Sequence, residues 1–126
     1  MQRTAQDIMT MIQEQGIQMV DFKMVDINGQ FRHVTIPSQH FSEETMTNGI
    51  GFDASNYGYA VVEKSDMVFI PDPDTAVVDP FCDIPTLSMT GNAMIIGYPE
   101  NRPLDQYPRN IVLAAEKYMR DSGVAD

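Results

Sequence analysis

The sequence predicts an α+β domain, a single sheet flanked by helices, on three observations. Apolar residues recur at helical spacing near both ends of the chain, they alternate at strand period in the middle, and Gly, Pro and Asn pairs separate the segments. Thr4 followed by Asp7 reads as a capping box ahead of Ile8, Met9, Met11 and Ile12, and Gly16 offers a left-handed stop, so a first helix covers residues 5–15. From Gln18 the period becomes two: Val20, Phe22 and Met24 alternate with Asp21, Lys23 and Val25. Asp26-Ile27-Asn28-Gly29 then supplies the Asn-Gly pair of a tight hairpin, whose second strand runs from Gln30 to Ile36 and is edge-like, with Pro37 removing a ladder donor. Ser42, Glu43 and Glu44 open a short helix near 42–48. Residues 48–59, rich in Gly and Asn, read as a loop. Met67 to Ile70 and Ala76 to Val78 read as strands around the turn Pro71-Asp72-Pro73-Asp74, and Thr86 to Ile96 as one or two strands broken at Gly91-Asn92. Gly97 to Pro103 has the composition of a linker, and Pro108 opens a helix over 108–122 with the apolar stripe Ile111, Val112, Ala115, Tyr118 and Met119, capped by Gly123.

A length of 126 residues suits one domain, or one domain and the start of a second. With 43% hydrophobic and 21% charged residues the chain can bury a core. Its net charge of −10 repels phosphate backbones and anionic headgroups, so neither a nucleic-acid nor a membrane partner is expected. The lone Cys82 excludes an internal disulfide and fits a cytoplasmic location. The N-terminal segment lacks the apolar run of a signal peptide, and no stretch approaches the roughly 20 apolar residues of a membrane-spanning helix.

Most chemistry-bearing residue types are scattered. His33 on a strand and His40 in a turn read as surface or packing groups, and no His or Cys spacing builds a zinc site from this chain alone. Cys82 reads as a small buried hydrophobe. Asp72, Asp74 and Asp79 lack the pattern of a calcium loop, and no glycine pattern matches a phosphate or dinucleotide loop. The ten methionines belong mostly to apolar periods of the core or a subunit contact. The segment 49–59 differs: it sets Asp53 beside Ser55 and Asn56, between Phe52 and Tyr57, on glycine-rich backbone able to approach another surface closely. By composition alone, it reads as a plain surface loop.

The order of motifs resembles the N-terminal β-grasp domain of type I glutamine synthetases. Val20-Asp21-Phe22-Lys23, Asp26-Ile27-Asn28-Gly29 and His33-Val34-Thr35-Ile36-Pro37 are similar to that family's first hairpin. Gly51-Phe52-Asp53-Ala54-Ser55-Asn56 stands where the family usually writes Phe-Asp-Gly-Ser-Ser, and Ser65-Asp66-Met67, Pro71-Asp72, Thr75-Ala76-Val77 and Asp79-Pro80-Phe81 follow in order. Pro108-Arg109, Ala115-Glu116-Lys117-Tyr118 and Gly123-Val124-Ala125-Asp126 are similar to the helix that opens the catalytic domain. The resemblance implies a β-grasp (ubiquitin-like) mixed sheet with flanking helices over 1–97, a linker over 98–107, and the first helix of a truncated C-terminal catalytic domain over 108–126. It implies ligation of ammonia to glutamate through γ-glutamyl phosphate, with ATP and Mg2+ or Mn2+ bound mainly by the C-terminal domain and none by this piece, which alone would be inactive. It also implies a homo-oligomeric ring in which the β-grasp domain meets its own catalytic domain and reaches into that of the adjacent subunit. Asp53 matches the carboxylate that binds ammonium and takes its proton, with Ser55 and Asn56 in the same substrate-binding loop. Ala54 in place of Gly, Asn56 in place of Ser, and the lack of a downstream tryptophan leave room for a γ-glutamyl amine ligase of the same family. A stand-alone β-grasp interaction module is the reading from another class, and the C-terminal amphipathic helix argues against it.

Overall fold

Helix α1 (Ala5–Glu14) begins where two side chains cap each other's backbone: the Asp7 amide donates to the Thr4 hydroxyl and the Thr4 amide to the Asp7 carboxylate. The computed structural model describes residues 2–97 and 99–124, and in it α1 buries Ile8 and Ile12 in the main core. The expected hairpin follows as β1 (Met19–Val25) and β2 (Phe31–Pro37), antiparallel from Met19↔Pro37 to Val25↔Phe31. Val20, Phe22 and Met24 face the core, as their alternation requires. Asp21, on the other face, is also buried and accepts hydrogen bonds from His33 Nδ1 and the Thr35 hydroxyl, both at 2.7 Å.

Ser42 caps the short α2 (Glu43–Asn48), which places Met46 against the same core. Then come β3 (Ile50–Asp53), β4 (Asp66–Pro71), β5 (Val77–Val78), β6 (Thr86–Ile95), β7 (Arg102–Pro103) and α3 (Pro108–Ser122). Among the described residues the strands form a seven-stranded mixed sheet with the path β2-β1-β6-β4-β3, β5 and β7 pairing with β6. The parallel pair is β1 with β6, Val20 opposite Leu87, while β4 runs antiparallel to both β6 and β3. Phe22 lies at the centre, its ring centroid 6.3 Å from that of Phe41 and 6.0 Å from that of Phe69. Burying a side chain of this size contributes about 1.5–3 kcal/mol.

Two expectations need correction. Thr86–Ile95 is one unbroken strand, because Gly91 marks a change of partner and not a break: β1 pairs with Thr86–Thr90 and β4 with Gly91–Ile95. A Cβ at Gly91 would stand 2.2 Å from the Ile70 carbonyl oxygen, so only glycine lets β4 approach this closely. The stretch expected as a loop over 48–59 starts instead as the edge strand β3 and continues as a 3-10 turn, Ala54–Tyr57. Its short run of alternating Ile50, Gly51, Phe52 and Asp53 becomes a strand only by pairing with β4.

Within the segment expected as a linker, Arg102–Pro103 pairs with Ile95 and Met94, and Leu104 is buried, as is Tyr107. These residues join Ala54, Met67 and Ala93 in a second core cluster. Arg109, in the first turn of α3, donates to Asn92 at 3.0 Å, to Thr90 at 3.3 Å and to the Asp72 carboxylate, while Asn110 donates to the Ala93 and Leu104 carbonyls. Past that turn the helix leaves the sheet, and Ile111, Val112, Tyr118 and Met119 are exposed. Of the quoted C-terminal motif, Ala125 and Asp126 lie outside the described residues, as does Tyr98 of the linker segment.

Candidate functional site

Asp53 ends β3 and caps the 3-10 turn that follows. Its Oδ1 accepts the Ser55 hydroxyl at 2.6 Å and the Ser55 amide at 2.9 Å, an Asx turn that holds the exposed carboxylate at the sheet's edge. The Ser55 hydroxyl, the nearby Ser65 hydroxyl and the Ser55 amide keep the Asp53 carboxyl below the usual carboxylate range. Only Ser55 makes a direct bond, since the Ser65 hydroxyl donates to the Val62 carbonyl. Asp53 is therefore ionised at neutral pH. Asp66 lies opposite it in the β3–β4 pair, so two exposed acids share one place on the sheet, an arrangement that repels itself and draws cations.

The turn is fixed from below. Ala54 is wholly buried beside Leu104 and Tyr107, and its amide donates to the Ser65 carbonyl at 2.8 Å. Tyr57 stands edge-on to Phe52 with centroids 5.3 Å apart, and its carbonyl accepts the Ile27 amide at 2.9 Å from the hairpin tip. Of the residues named from the sequence, Asp53, Ser55 and Asn56 are thus together, with Ser55 half-buried and Asn56 exposed. The hairpin tip that bonds Tyr57 exposes Ile27, and the loop that follows the turn exposes Val61 and Val62, each by 60% or more, the composition of a surface that another covers.

The other candidates lie elsewhere. His33 pairs with the buried Asp21 beside a cavity of about 310 Å³ that Cys82, Met19 and Ile84 also line. Cys82 is exposed, contrary to its reading as a buried hydrophobe, because Asp79 pins the loop that carries it outside the sheet: Asp79 accepts from Lys23 Nζ at 2.7 Å, from Ser88 and from the Phe81 amide. Among the described residues no three His, Cys, Asp or Glu side chains stand close enough to share a metal ion. Nothing in the sequence joins Tyr59 to Tyr107, whose hydroxyls meet at Val25; their separation of 48 positions gives no local signal.

A hairpin, a parallel strand beside it, a helix across the core face and an acidic turn at the far edge define a β-grasp domain carrying an edge-mounted polar site. The chain belongs to the glutamine synthetase β-grasp family, whose family model, described as the glutamine synthetase beta-Grasp domain, matches residues 16–95. It is 40% identical over 126 residues to a glutamine synthetase of Frankia alni, covering 97% of this chain and 26% of that protein. It is 34% identical over 127 residues to a 3-hydroxylaminophenol mutase of Cupriavidus pinatubonensis, covering the whole chain and 26% of that protein. The chain therefore spans about a quarter of the length of the curated relatives it matches. Among solved structures, a GmaS/ADP complex superposes with a TM-score of 0.80 at 20% identity, over 97% of this chain and 26% of its own. The glutamine synthetase of Plasmodium falciparum superposes with a TM-score of 0.78 at 16% identity, over 96% and 23%. These superpositions bear on the fold, which agrees with the mixed β-grasp sheet expected. Among the described residues no helix is long and apolar enough to cross a membrane.

Proposed function

We propose that this chain is the N-terminal domain of a glutamate–ammonia ligase and that Asp53 completes the ammonium site of a neighbouring subunit's catalytic domain. The observation that carries the reading is the combination at Asp53: an ionised carboxylate held outward by Ser55 at a sheet edge, on a turn that bonds the exposed hairpin tip at Ile27 and is followed by exposed Val61 and Val62. Ammonium is no nucleophile, so a site for it must attract the cation and then take a proton next to the acyl phosphate. A carboxylate does both once a covering surface excludes water and lowers the local dielectric. Glutamate, ATP and Mg2+ or Mn2+ belong, in this reading, to the larger part of the enzyme, and the acids present here do not gather into a metal site among the described residues. The nucleotide supplies the phosphoryl group that activates glutamate; Asp53 binds and deprotonates, and Ser55 and Asn56 shape the same pocket.

A homo-oligomer follows from the same reading, since the site is incomplete on one protomer. The exposed stripe of α3 supports a following catalytic domain over the stand-alone module, because a self-contained domain gains nothing from an uncovered helix with Ile111, Val112, Tyr118 and Met119 in water. Ala54 does not favour the amine ligase: its methyl is buried toward Leu104 and Tyr107 and leaves the surface at Asp53 unnarrowed. In the full-length enzyme Asp53→Ala should spare ATP binding and weaken ammonium use. Equal ammonium-dependent turnover in variant and wild type refutes the assignment, and a greater loss with methylamine than with ammonium moves the substrate to the amine.

A further inference from the structure

The carboxylate of Asp53 is only as well placed as the 3-10 turn beneath it, and that turn is tied to a distant part of the chain. Tyr59 closes it, its amide donating to the Ala54 carbonyl at 3.1 Å. The Tyr59 hydroxyl donates to the Val25 carbonyl at 2.9 Å, and the Tyr107 hydroxyl accepts the Val25 amide at 3.3 Å. The two rings meet edge to face with centroids 5.9 Å apart. Both backbone polar groups of Val25, the last residue of β1, are thus held by phenols from two segments remote in sequence. Tyr107 is buried, precedes Pro108 as the N-cap of α3, and shares its cluster with Ala54.

From these contacts we propose that Tyr59 and Tyr107 are positioning residues for Asp53. They couple the start of α3, through Val25, to the turn that aims the carboxylate. The function of the coupling rests on Asp53 being the ammonium-binding group; the coupling itself does not. A displacement at the start of α3 moves Tyr107, and the one peptide segment it shares with Tyr59 passes the displacement to the Asp53 turn. Burial pushes the Tyr59 phenol up to about 12 and raises that of Tyr107, so both hydroxyls keep their protons at neutral pH and the link holds throughout that range.

The test uses the full-length protein with Tyr59→Phe, Tyr107→Phe and the double variant, which keep the rings and remove the hydroxyls. Amide exchange over residues 54–60 is followed with the β1–β6 amides of Phe22 and Leu87 as the check on global folding, and KM is measured for ammonium, glutamate and ATP. Each single variant should speed exchange of the turn roughly three- to tenfold, the effect of one lost hydrogen bond, with the β1–β6 amides unchanged. The double variant should fall short of the product of the two, because both act through Val25. The KM for ammonium should rise by a similar factor, with those for glutamate and ATP unaltered. Unchanged exchange over 54–60, or a uniform rise throughout the chain, overturns the proposal. Faster exchange of the turn with an unchanged ammonium KM supports the coupling and removes the ammonium role from Asp53, which separates the two failures.

Discussion

Gly49→Ala is the substitution from which the structure demands most. Gly49 joins α2 to β3 with φ +76° and ψ −168°, a region open essentially to glycine alone. A Cβ there would lie 2.3 Å from the Phe69 carbonyl oxygen and 2.7 Å from both Val68 Cγ1 and Ile70 Cδ1. Backbone strain costs about 1–3 kcal/mol, and forcing a methyl against the β4 backbone costs about as much again. The sum, about 4 kcal/mol, is a large part of the roughly 5–15 kcal/mol that holds a domain folded. Gly16→Ala is the matched control: its φ is +62° but no atom stands within 4 Å of the new methyl, so only the left-handed backbone is penalised, at about 1–2 kcal/mol. Urea unfolding of the 126-residue chain, followed by far-UV circular dichroism, reads both. With a slope near 2 kcal/mol per molar urea, Gly49→Ala should lower the midpoint by roughly 2 M and Gly16→Ala by roughly 0.5–1 M. Equal losses at the two positions refute the steric part of the reasoning, and an unaltered midpoint at Gly49 refutes all of it.

Asp79 carries the acid dependence. The Lys23 ammonium, the Phe81 amide and the Ser88 hydroxyl hold its carboxyl at about 2, so its contribution is complete above the ordinary value of 3.8 and lost as the pH falls toward 2. Asp79→Asn should be less stable at pH 7 and show a shallower decline of the urea midpoint between pH 4 and 2; parallel curves would reject the assignment. Arg109→Met removes the donors to Asp72, Asn92 and Thr90 and should speed amide exchange in the first turn of α3 by roughly thirtyfold, for about 2 kcal/mol, with β1–β6 amides unmoved. Exchange no faster than in the wild type would mean that Asn110 and Tyr107 hold the helix alone.

What was legible in the sequence is what short-range physics determines. The hairpin was, because Val20, Phe22 and Met24 must share a face and Asn28-Gly29 must turn; both terminal helices were, through Thr4 and Pro108. Asp53, Ser55 and Asn56 were brought to notice by composition and given a role by resemblance. Their geometry was not legible, since β3 exists only because β4 lies beside it, and an alternation of four residues is too short to announce a strand. Gly91 misled for a related reason: in isolation it signals interruption, whereas in the sheet it is the space that the backbone of Ile70 and Pro71 requires.

The Asp53 turn holds two kinds of residue. Asp53 and Asn56 are exposed and no side-chain hydrogen bond among the described residues fixes Asn56, while Ala54 is buried against Tyr107, the N-cap of α3, and is constrained by the fold itself. A substitution at Ala54 is therefore first a packing change. Enlarging it to Leu in the space shared with Leu104 and Tyr107 should lift the turn and speed amide exchange over residues 54–60 while leaving the Asp53 carboxylate chemically unaltered; exchange as slow as in the wild type would refute the packing role. The precision of an exposed charge at this edge derives from a methyl group beneath it.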